Sequence, residues 1–264
     1  MEAITSLQNP RVKQVVSLGE KSRERRSSGL FTVEGQREIM HCIEGGFEME
    51  SAFFCASIIA QEKAEEILAG QNAPLIEVND KVYAKMAYRE GTEGSIAVFK
   101  SHRRELSEFK PGENPFVIVL ESVEKPGNLG AILRTADASG AAAVIVCDPL
   151  TDLYNPNLIR ASIGGIFTVP TFACTSEEAY NWLTEHNFQI LTAQLQDSRP
   201  YYDVNFLLPT AAIFGTESTG LTSWWRERSH AKINIPMLGR LDSLNVSVSA
   251  AVLAYESVRQ KLSK

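Results

Sequence analysis

The chain has 264 residues, of which 44% are hydrophobic and 22% are charged, and its net charge at pH 7 is −6. These values describe a soluble globular protein of one large or two modest domains, and the acidic balance argues against a general nucleic-acid coat protein. No apolar run reaches the roughly 20 residues that would cross a bilayer, and the N-terminus has no export signal. The four cysteines are scattered without metal-binding spacing, so we expect a cytoplasmic protein with no metal and no membrane association.

Residues 9–37 form a basic segment in this acidic chain. Only three glutamates are set against its basic residues, which are Arg11, Lys13, Lys21, Arg23, Arg25, Arg26 and Arg37. A basic stripe on an acidic protein is typical of a surface that contacts nucleic-acid phosphates. The alternative is an ordinary solvated helix face that stops at Gly29.

Short strands and helices alternate from residue 30 to residue 99. Strands are predicted at 30–33, 51–55, 75–78 and 95–99, and helices at 36–43, 61–68 and 80–86. This pattern predicts a small N-terminal α/β domain over residues 1–105. A polar stretch bounded by prolines follows, and we place a linker there at residues 106–114.

The second predicted domain, residues 115–264, has apolar strands of the buried parallel type. They lie at residues 116–120, 143–146, 190–193, 211–214 and 233–235, with helices at 129–139, 157–163, 177–186 and 223–228. The alternation predicts an α/β domain with a parallel sheet covered on both faces. Ligands bind such sheets beyond the carboxyl ends of the strands. Glycine and polar residues coincide with strand ends at 121–134, 214–221 and 235–245.

The first of these stretches runs from Glu121 to Arg134 and contains a Pro-Gly turn before a helix. Asn128 lies near the predicted helix start, and we expect Arg134 on roughly the same side of the helix. The glycine spacing matches neither a dinucleotide-binding fingerprint nor a P-loop.

The second stretch places Gly215, Thr216, Glu217 and Gly220 at another turn between a strand and a helix. It lacks the Gly-x-Ser-x-Gly spacing of a hydrolase nucleophile elbow, and Glu217 could simply cap the next helix. In the third stretch, Ser243 is predicted to be the N-cap of the last helix.

Together the three stretches resemble the three motifs of the SpoU-type branch of the SPOUT RNA methyltransferases. The matching residues are Asn128-x-Gly-x-x-x-Arg134, then Gly215-x-Glu217-x-x-Gly220-Leu221, then Ile235-Pro-Met237-x-Gly239 leading to Ser243-Leu244-Asn245. The resemblance covers about residues 115–260. Residues 22–35 look like part of the RNA substrate-binding domain that many members carry before the catalytic one. Thr216 stands where many members have asparagine.

The resemblance implies S-adenosylmethionine-dependent methylation of a ribose 2′-hydroxyl in structured RNA, with ribosomal RNA expected rather than transfer RNA. It also implies a homodimer and a deep trefoil knot in the C-terminal domain. Proteins with knots are rare exceptions, so the residues alone would not have predicted one.

The family pattern also implies roles for individual residues. The expected catalytic residues are Arg134, Asn128, Glu217, Ser243 and Asn245. The expected cofactor-binding residues are Ala193, Gly215, Thr216, Glu217, Gly220, Ile235, Met237, Ser243 and Leu244. The expected RNA-binding residues are Arg11, Lys13, Arg23, Arg25, Arg26 and Arg160.

Two other classes of function compete with the methyltransferase. A non-catalytic RNA-binding or ribosome-assembly protein would keep the basic segment but would not need Arg134, Glu217 or Asn245. A nucleotide-dependent oxidoreductase fits the sheet pattern but lacks the phosphate-binding glycines. Binding of S-adenosylhomocysteine or of NAD would separate these alternatives.

Overall fold

The computed structural model describes residues 2–88, 93–102, 104–216 and 218–263, so the predicted site residue Glu217 lies outside the described residues. In chain order, the elements begin with β1 (Glu2–Ile4), α1 (Pro10–Glu20), α2 (Ser22–Ser28), β2 (Leu30–Glu34), α3 (Gln36–Glu44), β3 (Met49–Phe54), α4 (Gln61–Ile67), β4 (Leu75–Val78), α5 (Asp80–Met86) and β5 (Ser95–Lys100). They continue with β6 (Phe116–Glu121), α6 (Pro126–Ser139), β7 (Ala143–Cys147), α7 (Pro156–Ala161), α8 (Gly165–Thr168), β8 (Thr171–Cys174) and α9 (Ser176–Glu185). The last elements are β9 (Gln189–Ala193), β10 (Arg199–Pro200), β11 (Thr210–Phe214), α10 (Ser223–Arg228), β12 (Ala231–Asn234) and α11 (Val246–Leu262), and short 3₁₀ turns lie at Leu106–Glu108 and Tyr201–Asp203.

The chain forms two compact units. The first comprises Met1–His102 and Asp152–Thr168, and the second comprises Arg103–Thr151 and Val169–Lys264. This division differs from the predicted domains at one main place, because α7 and α8 group with the first unit. In the part of the chain that the structure describes, no helix has both the length and the apolar character needed to span a membrane.

The first unit contains a five-stranded sheet in the order β1-β4-β3-β5-β2. Strands β1, β4 and β3 run parallel, whereas β5 is antiparallel to both β3 and β2. Strand β1 is only three residues long and was not predicted, because its alternation is too short to read in the sequence. Val12, Val15 and Leu18 of α1 are almost fully buried against this sheet.

Residues 152–168 join the first unit through aromatic packing. The ring of Phe31 stacks on Tyr154 with a centroid distance of 4.4 Å and on Phe167 at 5.7 Å. Phe47 also contacts Phe167, in an edge-to-face arrangement at 5.2 Å. Buried aromatic side chains contribute large apolar areas, so these contacts explain why a segment from the middle of the chain packs with the first unit.

The second unit contains a seven-stranded sheet in the order β10-β12-β9-β11-β6-β7-β8, and every pairing is parallel. The predicted α/β fold with a parallel sheet is therefore confirmed. All six residues of β6 are buried, as expected for a strand covered on both faces. Two residues of the predicted linker, Leu106 and Phe109, pack into the core of this unit rather than lying in solvent.

The last helix begins later than predicted. Asn245, not Ser243, is its N-cap, because the Asn245 side chain accepts a hydrogen bond from the backbone N–H of Ser247 at 2.9 Å. The helix α11 packs against α6. Val246, Ala250, Leu253, Ala254 and Ser257 are among its buried residues, whereas Val248 and Tyr255 are about half exposed at 47% and 50%.

Candidate functional site

A cavity of about 580 Å³ lies in the second unit, beyond the carboxyl ends of β9, β11 and β12. This is where a parallel α/β sheet is expected to bind ligands, and the volume suits a ligand of nucleoside size. Its lining includes Ala193, Gly215, Thr216, Gly220, Ile235, Met237, Ser243 and Leu244. These are all of the predicted cofactor-binding residues that the structure describes, so the three separate stretches meet at one site.

The turn after β11 closes one side of the cavity. The Gly220 N–H donates to the Thr216 carbonyl oxygen at 3.0 Å, and Gly220 has a φ of +67°, which favours glycine. The Thr216 hydroxyl accepts from the backbone N–H of Thr219 at 3.1 Å. The side chain that departs from the family pattern therefore holds the turn together.

Gly215 is required by a close approach of two backbone segments. A Cβ at this position would lie 2.2 Å from the Gly220 carbonyl carbon and 2.4 Å from the Leu221 nitrogen. Backbone atoms cannot swing aside as a flexible side chain can. Any side chain at residue 215 therefore has to displace the turn that lines the cavity.

A buried carboxylate anchors the far end of the same turn. Glu121, at the end of β6, is 6% exposed. It accepts hydrogen bonds from the Thr222 backbone N–H at 2.9 Å and from the Thr222 hydroxyl at 2.6 Å. These charge-assisted bonds tie the start of α10 to the end of β6 and so fix the C-terminal end of the turn after β11.

The first and third stretches meet through two asparagines. The amide nitrogen of Asn245 donates to the side-chain oxygen of Asn128 at 3.2 Å. Asn128 also lines a smaller hollow of about 90 Å³ with Lys125, Gly215, Thr216 and others. The two hollows share Gly215 and Thr216, so Asn128 lies beside the main cavity.

Arg134 lies on α6 but does not line either hollow, and its side chain is exposed. The expectation that it shares one side of the helix with Asn128 is wrong. Six residues of an α-helix turn through about 240° beyond one full turn, which leaves the two side chains about 120° apart. In the described chain, the structure thus brings together Asn128, Ser243 and Asn245, but not Arg134.

Five of the six residues predicted to bind RNA have exposed side chains. They are Arg11, Lys13, Arg23, Arg26 and Arg160, all in the first unit. Arg11 forms an ion pair with Glu2 at 2.7 Å. Among the described residues, the other four have no ion pair.

Arg25 is the exception, and its assignment as a phosphate contact is wrong. The residue is 5% exposed, and its Nε donates to the Asp152 carboxylate at 2.6 Å. A further hydrogen bond runs from its Nη1 to the carbonyl oxygen of Leu18. Arg25 therefore links α2 to residue 152 within the first unit and has no exposed guanidinium to offer an RNA.

Sequence reasoning missed six polar residues of the cavity lining. These are Gln194, Gln196, Arg226, Asn234, Asp242 and Ser249. Gln194 directly follows β9, so its position at a strand end was a usable signal. Arg226 lies on α10, where only the helical spacing of the buried Trp225 could have indicated which way it faces.

No group of three His, Cys, Asp or Glu residues that could hold a metal ion is present among the residues that the structure describes. None of the described catalytic candidates is a histidine, and Arg134 is the only strongly basic side chain among them. At the cavity, the described catalytic candidates therefore offer amide and hydroxyl groups, whereas the Arg134 guanidinium lies outside it.

Family models match both parts of the chain. The model of the SpoU rRNA Methylase family matches residues 115–255, and that of the MRM3-like substrate binding domain matches residues 9–97. The chain is 27% identical to the 23S rRNA (uridine(2479)-2′-O)-methyltransferase of Streptomyces viridochromogenes over 98% of this chain and 93% of that protein.

Solved structures are similar over nearly the whole chain. A crystal structure of an RNA 2′-O ribose methyltransferase is 38% identical, with a TM-score of 0.85 over 98% of this chain and 99% of that one. The AdoMet-bound rRNA methyltransferase from Sinorhizobium meliloti is 27% identical, with a TM-score of 0.89 over 98% and 97% of the two chains. Because the SpoU rRNA Methylase model matches more than half of the residues of this chain, the chain belongs to that family.

Proposed function

We propose that the protein methylates a ribose 2′-hydroxyl in RNA with S-adenosylmethionine as the methyl donor. The observation that carries this proposal is the cavity where the turn after β11 and the loop before α11 meet beyond the strand ends. The family membership and the AdoMet-bound neighbour support the same activity.

The residues present fit the cofactor. Ile235, Met237 and Leu244 supply apolar surface for an adenine ring, and the close backbone approach at Gly215 shapes the entrance. Ala193, Thr216, Gly220 and Ser243 offer small side chains and backbone groups beside them. When bound, the cofactor supplies an electrophilic methyl group on a sulfonium.

The chain's own task is to hold the ribose hydroxyl and to stabilise the charge that develops on its oxygen as the proton passes to solvent water. Asn128 orients the ribose, and Asn245 fixes Asn128 through their hydrogen bond. Ser243 shapes the loop beside the reacting atoms, and Glu217 positions Arg134 or a nearby backbone amide. A guanidinium is effectively never deprotonated in proteins, so Arg134 is not the base. Instead it clamps the target phosphate and stabilises the emerging alkoxide, an effect worth about 3–4 kcal/mol per donor.

We propose that the active protein is a homodimer with shared sites. Arg134 is exposed and lies outside the cavity of its own chain, so it is available to the site of a second copy. The face of α11 with Val248 and Tyr255 leaves apolar surface uncovered, and Leu238 and Leu241 before it are 99% and 75% exposed. A two-fold contact between two copies of this face would cover that surface.

Ribosomal RNA is the proposed substrate, and the first unit is its docking surface. The similarity to a 23S rRNA methyltransferase covers 98% of this chain and so includes the N-terminal part. That part also matches a substrate-binding domain model. Arg11, Lys13, Arg23, Arg26 and Arg160 contact phosphates and fix the register of the RNA. We also propose a cytoplasmic location, where such an enzyme would meet ribosomal RNA.

We further propose that the second unit contains a deep trefoil knot. The order of its strands supports this proposal, because α11 follows β12 but packs against α6 and contacts β6 and β11, which lie beyond β9. The chain must therefore return across the sheet after its last strand.

One experiment tests the activity and the substrate. Purified protein is incubated with methyl-tritiated S-adenosylmethionine and either 23S ribosomal RNA or total transfer RNA, and the label is mapped to nucleotides. Ribose-methyl label in 23S ribosomal RNA supports the proposal. Label only in transfer RNA would reassign the substrate, and no label despite S-adenosylhomocysteine binding would favour a non-catalytic RNA-binding protein.

A further inference from the structure

One cation on the wall of the main cavity has a buried nitrogen with no hydrogen-bond partner among the described residues. Arg226 lies on α10 and lines the cavity, and its Nε is buried with no hydrogen-bond partner in the described chain. It forms no ion pair with any described residue. A Cβ added to Gly220 would lie 3.5 Å from Arg226 Nη2, so the guanidinium extends over the turn that closes the cavity.

A second orphaned polar atom lines the same cavity. The side-chain oxygen of Gln194 is buried without a partner, while its amide nitrogen donates to the Gln196 carbonyl at 2.8 Å. Asp242 also lines the cavity. Its carboxylate contacts the Ser243 hydroxyl at 3.2 Å and does not pair with Arg226. Within the described chain, the cavity thus presents one donor atom of a cation, Arg226 Nε, and one acceptor atom, the Gln194 oxygen, that have no hydrogen-bond partner.

Buried polar groups are normally paired, and a buried charged donor without a partner destabilises the protein that carries it. A ligand that supplies the missing partners would recover that free energy on binding. The cofactor proposed above has one anionic group, the α-carboxylate of its methionine part, and a donor beside it, the α-ammonium. The adenine and ribose are neutral and the sulfonium is positive, so none of these matches an unpaired guanidinium.

We propose that Arg226 binds the α-carboxylate of S-adenosylmethionine, and that the Gln194 oxygen accepts from the α-ammonium. The inference rests on the proposal that this cavity is the cofactor site. It assigns the amino-acid end of the cofactor to the wall formed by α10 and the end of β9. This wall is polar, whereas Ile235, Met237 and Leu244 supply the apolar part of the lining.

The test compares two ligands by titration calorimetry, without RNA and without turnover. S-adenosylhomocysteine carries the amino-acid group, whereas 5′-methylthioadenosine keeps the adenine, ribose and sulfur but lacks that group. Arg226→Gln is expected to weaken S-adenosylhomocysteine about 10- to 100-fold, as for loss of a hydrogen bond to a charged group, and to leave 5′-methylthioadenosine within about threefold. Gln194→Met should likewise affect only S-adenosylhomocysteine, by a smaller factor.

Arg228→Gln is the matched control on the same helix. The Arg228 guanidinium lies 4.5 Å from the centre of the Trp224 ring and its Nη1 donates to the Trp224 carbonyl, away from the cavity lining. This variant should bind both ligands as the wild type does. Urea unfolding of apo Arg226→Gln should show a stability equal to or above that of the wild type, because the variant removes a buried guanidinium Nε that has no hydrogen-bond partner in the described chain.

The outcomes distinguish failure of the carboxylate assignment from failure of the cofactor site. Equal weakening of both ligands by Arg226→Gln, or no weakening of either, overturns the carboxylate assignment while the cavity remains the cofactor site. Failure of the wild-type protein to bind either ligand overturns the cofactor site itself, and the carboxylate assignment with it.

Discussion

Replacement of Gly215 by alanine tests how closely the cavity depends on backbone packing. The added Cβ would lie 2.2 Å from the Gly220 carbonyl carbon, whereas an ordinary contact is at least 3.4 Å, so the turn must retreat by about 1.2 Å. Overpacking of this kind costs about 1–3 kcal/mol. Thr216 and Gly220 line the cavity on the segment that moves, so we expect affinity for S-adenosylhomocysteine to fall at least about tenfold.

Gly239→Ala is the matched control for this change. It lies in the loop before α11, and an added Cβ there would meet no atom within 4 Å. Calorimetry with S-adenosylhomocysteine and urea unfolding should show wild-type behaviour for Gly239→Ala and losses in both for Gly215→Ala. Wild-type affinity in Gly215→Ala would refute the assignment of the turn to the cofactor site. The backbone contact predicts a loss of stability for Gly215→Ala as well as a loss of affinity.

Three further predictions concern charged side chains. Arg134→Lys keeps the charge but loses the planar fork, so methylation should fall at least about tenfold at every pH while cofactor affinity is unchanged; full recovery of activity at high pH would instead make residue 134 a base. Charge reversal at Arg23 and Arg26 should reduce the salt slope of RNA binding by about one per residue with cofactor affinity unaltered, and an unchanged slope would assign both to an ordinary solvated face. Arg259 and Gln260 donate to Glu256, and the Arg259 bonds hold the pKa of that carboxyl below its ordinary 4.5. The stability that results from this lowered pKa is present above pH 4.5 and is lost as pH falls through the folded-state pKa of Glu256. The difference in unfolding free energy between wild type and Glu256→Gln should therefore shrink between pH 7 and pH 3. A difference that stays constant would contradict this linkage.

The strands of the second unit could be predicted because they are buried on both faces. A run such as Phe116–Glu121 has no polar alternation, and its short length between turn residues separates it from a helix. The glycine turn at 215–220 was equally readable, since its residues follow a strand end. The predicted cofactor-binding residues that the structure describes therefore line one cavity, although Gln194 and Arg226 of the same lining were not predicted.

The start of α11 and its buried face could not be read in the same way. Ser243 and Asn245 are both good N-cap residues, and only the hydrogen bond to Ser247 decides between them. The helix also carries small or apolar residues on most sides, so Val248 and Tyr255 looked as suitable for burial as Ala250 and Leu253. Their exposure depends on which neighbouring elements are present, and periodicity holds no information about that.

Arg25 illustrates a limit that no local pattern can overcome. Its neighbours Arg23 and Arg26 are exposed, and nothing in the basic segment distinguishes the three. The buried position of Arg25 depends on Asp152, which is 127 residues away in the sequence. An ion pair of that separation becomes visible only when the fold brings residues 152–168 to the first unit.

The hydrogen bond between Asn128 and Asn245 connects the main cavity to the residue proposed to orient the ribose. Asn245 caps α11 with its side-chain oxygen and holds Asn128 with its side-chain nitrogen, so one amide serves both helix starts. The loop that ends at Asn245 contributes Asp242, Ser243 and Leu244 to the cavity. Ordering of that loop by a ligand would therefore also fix the position of Asn128. Under the proposal that this cavity holds the cofactor, cofactor binding would therefore also preorganise the residue proposed to orient the ribose.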